Sequence, residues 1–188
     1  NGAQGNTIGP ANTIAHNGRD GVRVDTPLAF GNIITQNRIH TNDMGIDLTN
    51  GANHEIAAPA ISATSLGPVE IMGTACAGCS VEVFTNSDTD GEGETYIGGT
   101  IATAGGDFTL TVDYLSQPYL TATATDAADG TSEFSEVFTA DIPILSTSTK
   151  IVDRATVAPA ETLTYTITLT NTGTAAGTAT LTDTLTAN

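Results

Sequence analysis

The feature that most limits the fold is an internal repeat at the start of the chain. Residues 5–24, G-N-T-I-G-P-A-N-T-I-A-H-N-G-R-D-G-V-R-V, lie over residues 31–48, G-N-I-I-T-Q-N-R-I-H-T-N-D-M-G-I-D-L. Asn6 falls on Asn32, Ile8 on Ile34, Asn12 on Asn37, Ile14 on Ile39, Asn17 on Asn42, Gly21 on Gly45, Val22 on Ile46 and Val24 on Leu48, at spacings of 24 to 26 residues. A fixed period of this size marks coils that stack on one another. Each coil holds short strands with one inward aliphatic residue, joined by Asn or Gly turns. Stacked coils lie about 4.8 Å apart, so equivalent Asn side chains can bond into ladders. Nine of the 12 Asn fall in residues 1–53, where such ladders would use them. About three coils are needed before a stack holds by itself. Ile8, Ile14, Ile34 and Ile39 are therefore expected on an open stacking face that something else must cover.

Written as N-x-I-x-x-N-x-I-x-x-N-x-x-x-G-I-x-L, the repeat resembles the right-handed parallel β-helix family over about two coils. Related β-helix lyases use Arg or Lys as a base, which draws the eye to Arg19, Arg23 and Arg38. Those enzymes need a groove across many coils, and two coils cannot build one. No G-x-S-x-G, H-E-x-x-H or Walker sequence is present, so the chain is expected not to be an enzyme.

Charge narrows the function classes further. Five Lys and Arg stand against 21 Asp and Glu, a net charge of -16. So few cations cannot neutralise a row of phosphates, and nucleic-acid binding is excluded. No apolar run approaches the roughly 20 residues of a spanning helix. The 35 Thr, with 20 Gly, make a strand-and-turn composition, because β-branched side chains suit a pleated surface. The expected fold is all-β: parallel β-helix coils in 1–55, an Ig-like β-sandwich in 56–142, and a partial second β-sandwich in 143–188. The middle part carries 13 acidic and no basic residues.

Candidate strands in the middle part are 60–65, 69–72, 80–85, 95–98, 107–112, 119–125 and 133–139. Alternation is clear in V-E-V-F, F-T-L-T-V and L-T-A-T-A-T, with turn signals at Gly67-Pro68, Asp90-Gly91, Gly105-Gly106 and Asp129-Gly130. This pattern fits two packed sheets. The ordered motifs A-P-A-I, I-M-G-T, V-E-V-F, G-E-G-E-T-Y-I-G, G-D-F-T-L, L-T-A-T-A-T-D and G-T-S-E-F-S resemble a bacterial Ig-like module that often follows β-helix repeats. The resemblance implies an extracellular, non-catalytic spacer.

A Pro/Ser/Thr linker at 142–148 precedes T-K-I-V-D, A-P-A-E-T-L-T-Y-T-I-T-L-T-N-T-G and A-T-L-T-D-T-L. These resemble the first half of a conserved repeat domain of unknown function found in bacterial and archaeal surface stalks. Leu163, Tyr165, Ile167 and Leu169 share one face and Thr the other. With Leu181 they are expected to form an uncovered apolar surface. The chain also begins at Asn1 without an initiator Met and stops at Asn188 within a strand pattern, as a processed or partial chain would. Unpaired edges recruit strands, and a head-to-tail contact that does not close makes a filament. The expected role is a structural subunit of an extracellular filament or surface stalk, with other copies of itself as partners. The alternatives are an adhesin that binds surface glycans, or a fragment of a longer cell-surface protein. The absence of Trp weighs against a sugar platform.

Three motifs could carry chemistry. Asp88, Asp90, Glu92 and Glu94 alternate around Gly and are candidate ligands for calcium, which takes about 6–8 oxygens; the competing reading is a solvated acidic hairpin loop. Cys76 and Cys79 have C-x-x-C spacing. They lack a second Cys or His pair for zinc and a helical context for redox work, so a local disulfide of an oxidising compartment is expected. Lys150, the sole Lys, would need a buried acid and a partner strand to form an isopeptide, and reads as an exposed charge. The three His fall on unequal coil positions and read as turn residues. No Asn-x-Ser/Thr sequon occurs.

Overall fold

The computed structural model describes residues 2–65, 68–145, 147–156, 158, 161–180 and 182. They are all-β apart from one short 3-10 turn, Ala52–Glu55. The chain first winds twice. Strands β1 (Thr7–Ile8), β2 (Thr13–Ala15) and β3 (Val22–Asp25) belong to the first coil, and β4 (Ile33–Ile34), β5 (Arg38–His40) and β6 (Ile46–Thr49) to the second. β1 pairs with β4, β2 with β5 and β3 with β6, all parallel. Ile8 lies beside Ile34, Ile14 beside Ile39, Val22 beside Ile46 and Val24 beside Leu48, the pairing the repeat predicts.

The Asn residues at the corners hold the coils together. Nδ2 of Asn6 donates to Oδ1 of Asn32 at 2.8 Å, Asn12 to Asn37 at 3.0 Å and Asn17 to Asn42 at 2.8 Å. The backbone N–H of each first-coil Asn donates to the same oxygen. Just before each of these Asn the backbone turns left-handed: Gly5 and Gly31, Ala11 and Gln36, His16 and Thr41 all have positive φ between 48° and 66°. Four of the six are not Gly, and a left-handed L-residue costs about 1 kcal/mol. The bonds of the following Asn offset that cost at every corner.

Downstream, two antiparallel sheets face each other. One has the order β10 (Thr95–Ile101), β9 (Ser80–Asn86), β12 (Tyr119–Asp126), β13 (Gly130–Thr131), with β14 (Phe138–Thr139) also on β12. The other has β11 (Asp107–Val112), β8 (Val69–Thr74), β7 (Ala60–Ser65). Val69, Ile71, Val81, Val83, Phe108, Leu110, Leu120 and Ala122 fill the space between them. The alternation of V-E-V-F and F-T-L-T-V thus becomes a β-sandwich core.

One expected strand is broken. Residues 132–137 leave the ladder between β13 and β14. The hydroxyls of Ser132 and Ser135 replace strand carbonyls by accepting the N–H groups of Ala124 and Ala122 at 2.9 and 3.0 Å. The N–H groups of Ser132 and Ser135 still donate to the carbonyls of Ala124 and Ala122, both at 2.8 Å, and between these two tethers the segment carries Phe134 out of the sandwich and against the coil core of Ile34, Ile39, Ile46 and Leu48.

β15 (Thr149–Val152) and β16 (Tyr165–Thr168) form a separate antiparallel pair. No other named strand pairs with them among the described residues.

Candidate assembly site

Every parallel coil has two edges, one facing each way along the stack. In the second coil the N–H groups of Ile33, Thr35 and Arg38 point back to carbonyls of Asn6, Ile8 and Asn12. Those of Ile34, Gln36, Ile39, Thr41, Asn42 and Leu48 point the other way, into the sandwich. Thr131 Oγ1 accepts Ile34 N–H at 2.9 Å. Gly93 and Ile39 exchange two backbone bonds of 2.8 and 2.9 Å. Four carboxylates take the remainder: Glu82 accepts from Gln36 at 2.9 Å, Asp90 from Thr41 at 3.4 Å, Glu92 from Asn42 at 2.9 Å and Glu133 from Leu48 at 2.9 Å. The coil edge therefore ends on the side chains of the sandwich. Unpaired buried N–H groups are costly, and here the module that follows in sequence bonds them.

The Asn6–Asn32 ladder also gains a third rung. Asn53 accepts the N–H of Asn32 at 3.1 Å and donates Nδ2 to the carbonyls of Asn32 and Thr131, both at 2.9 Å. Phe134 seals the middle, its ring held between Gly45 and Gly93. A Cβ on either glycine would lie 2.7 or 2.6 Å from that ring. His54 with Asp129 at 2.6 Å and Arg38 with Glu94 at 3.1 Å flank the contact.

The acidic loop is part of this cap. Both Glu92 oxygens bond to Asn42, and the side chain is 1% exposed. Burial pushes its carboxyl above the ordinary value, against the pull of those bonds. Glu94 accepts the hydroxyl and N–H of Ser87 and the guanidinium of Arg38; the Ser87 hydroxyl is the main reason its carboxyl sits below the ordinary value. Asp90 also accepts the N–H of Glu92, and Asp88 that of Asp90. Burial raises the Asp88 carboxyl. Among the described residues no group of three His, Cys, Asp or Glu side chains is placed to hold a metal ion.

Of the apolar residues expected on open faces, Ile34 and Ile39 are 3% and 1% exposed, because the sandwich lies over them. Ile8 and Ile14 in the first coil remain half-buried. In the C-terminal pair, Tyr165 and Leu169 are exposed, as are Ile151 and Val152; Leu163 and Ile167 are half-buried. Leu181 lies outside the described residues. Cys76 and Cys79 form a disulfide in the loop between β8 and β9. Lys150 lies over the Tyr165 ring, 4.4 Å from its centroid. No helix of the described residues is long and apolar enough to cross a membrane.

Sequence reasoning missed Glu82, Asn53, Thr131, Glu133 and Phe134 as parts of one site. Only Thr131, Glu133 and Phe134 share a local signal, the Gly- and Ser-flanked run G-T-S-E-F-S; Glu82 between two Val and Asn53 between Ala52 and His54 carry none. Compared with known proteins, the chain matches no family and no curated protein.

Proposed function

We propose that the chain is a structural element of an extracellular stalk or filament: a parallel β-helix stack, terminated by an Ig-like sandwich, that continues head to tail by strand addition. The observation that carries this reading is the closed end of the coil stack: its last coil is bonded to the sandwich by four carboxylates. The last coil is occupied, so the first coil of a second copy has no place to stack there. Assembly between copies then falls to the C-terminal pair. Two strands alone are marginal in water, and Ile151, Val152, Tyr165 and Leu169 are exposed on this pair. A further strand from a neighbouring copy would pair with the open edge and extend the apolar face on which Val152 lies beside Tyr165. The disulfide agrees with an oxidising, extracellular location.

Light scattering after size exclusion tests this reading. The chain is expected to form oligomers that grow with concentration, and Tyr165→Lys with Leu169→Lys to abolish them. A chain that stays monomeric at every concentration contradicts it.

One observation favours the adhesin alternative. Tyr96 and Tyr114, 18 residues apart in sequence, line a single groove of about 330 Å³ with Ile97, Val112 and Asp113. Tyr rings beside polar groups are a usual sugar platform. A glycan array in which Tyr114→Ala abolishes a signal would support it, and an empty array would remove it.

A further inference from the structure

The segment between the sandwich and the C-terminal pair is not a free tether. Ala140, Ile142 and Ile144 are buried in the sandwich core with Val81, Leu110 and Leu115, and Ala140 N–H donates to the Pro118 carbonyl at 2.8 Å. Alternation places both Ile on the core side. Pro143 between them is half-buried and has no N–H to satisfy. The polar groups of this stretch are bonded by residues 171–175, from beyond β16. Thr172 N–H donates to the Ile144 carbonyl at 2.9 Å and Ala175 N–H to that of Ile142 at 3.4 Å. Asn171 Oδ1 accepts the Ile144 N–H at 2.9 Å and the Gly173 N–H at 3.0 Å, and its Nδ2 donates to the Ala175 carbonyl at 2.8 Å. Thr174 Oγ1 donates to the Ala140 carbonyl at 2.8 Å. N-T-G-T therefore turns about its own Asn side chain while it grips the connection. The fit is tight. A Cβ on Gly173 would overlap the Ile142 carbonyl oxygen and lie 2.6 Å from the Ile144 nitrogen, and one on Gly177 would lie 2.5 Å from the Pro143 ring. Thr170 N–H, donating to Ser148 Oγ at 3.1 Å, carries the contact on toward β15 and β16.

We propose that residues 171–175 are a clasp that locks the C-terminal pair to the sandwich, so that the two move as one rigid body with a fixed angle between them. Modules joined on one chain normally move relative to each other unless a large apolar interface holds them. Here the connection is itself that interface: its side chains belong to the sandwich core, and its backbone is bonded by the segment that follows β16. The clasp also closes residues 145–170 into a loop, which tethers β15 and β16 at both ends. A Pro/Ser/Thr linker that swung freely would lose the direction of a stalk at this joint, and the clasp keeps it. That consequence rests on the stalk reading, while the clasp itself does not.

Amide nitrogen relaxation on the whole chain tests this, at a dilution where light scattering gives a monomer. It compares the rotational correlation times of Val83 and Leu120 in the sandwich with those of Ile151 and Ile167 in the pair. One common value is expected. Gly173→Val and, as a milder change, Asn171→Ala should split it, the shorter value belonging to the pair. Both should also speed amide exchange at Ile144 and Thr172 by at least about tenfold, with exchange at Val83 as in the parent. Two values in the parent, or one common value in both variants, overturn the inference. Joint and assembly fail separately. One common value in a chain that stays monomeric at every concentration refutes the stalk reading alone, and independent tumbling in a chain whose oligomers grow with concentration refutes the clasp alone.

Discussion

Glu92 binds one residue of the coil stack with both its oxygens: Oε2 accepts the backbone N–H of Asn42 at 2.9 Å and Oε1 its Nδ2 amide at 2.8 Å. The same Nδ2 donates to the carbonyl of Ile14. One carboxylate from the sandwich therefore fixes the Asn that ties the second coil to the first. Glu92→Ala leaves the part-buried N–H of Asn42 without an acceptor, which costs about 1–3 kcal/mol, and removes one of the acceptors of its Nδ2, which keeps the Ile14 carbonyl. The variant is expected to lose about 1–3 kcal/mol of stability in chemical denaturation. A loss comparable to that of an exposed surface acid contradicts the role.

Acid titration separates Glu92 from its neighbour Glu94. Burial raises the Glu92 carboxyl above its ordinary 4.5. Its contribution is fully present below 4.5 and is lost as pH rises through the raised folded value. The Ser87 hydroxyl, then the Ser87 N–H and Arg38, hold Glu94 below 4.5. Its contribution is present above 4.5 and is lost as pH falls through the lowered folded value. The stability cost of Glu92→Gln should therefore shrink from acid to neutral pH, while that of Glu94→Gln should grow. Denaturation curves of the two variants against the parent, taken across that range, check both signs.

Gly93 must lack a side chain because the coil, the sandwich and Phe134 meet there. A Cβ would lie 2.6 Å from the Phe134 ring and 3.0 Å from that of Phe84. Gly93→Ala is expected to cost about 1–3 kcal/mol by overpacking. Adding Phe134→Leu should recover part of that loss, so the two changes should be non-additive in a double-mutant cycle. Simple additivity would show that the ring does not fill this contact.

Calcium should not stabilise the chain. The Glu92 and Glu94 oxygens already accept bonds from Asn42, Ser87 and Arg38, and Asp90 is engaged with Thr41 and Glu92. Equal melting temperatures with calcium and with chelator are expected. A clear rise with calcium would restore the acidic loop as a metal site.

The coil register was legible because it rests on equivalent residues at a short, nearly fixed period: Asn6 with Asn32 or Ile14 with Ile39 can be aligned by eye. The sandwich strands were legible from alternation, and β7 and β11 have the expected bounds. The cap was not, because its bonds join residues far apart in sequence and a Glu that accepts a coil N–H looks like a solvated Glu. Gln36 and Glu82 are 46 residues apart, Asn42 and Glu92 50, and Leu48 and Glu133 85. The break after β13 was hidden for a similar reason. S-E-F-S reads as a strand until Ser132 and Ser135 are seen accepting backbone N–H groups with their hydroxyls. Placing Ile34 and Ile39 on an open stacking face followed from treating the three segments as separate.

Native-state amide hydrogen exchange tests the capped-and-open stack most directly. Ile34, Gln36, Ile39, Asn42 and Leu48 donate into the sandwich and are expected among the slowest amides, near the limit set by global unfolding. Thr7, Gly9 and Thr13, on the uncovered edge, are expected to exchange fast. Fast exchange at the second-coil positions, matching that of the first coil, would mean that the sandwich does not close the stack.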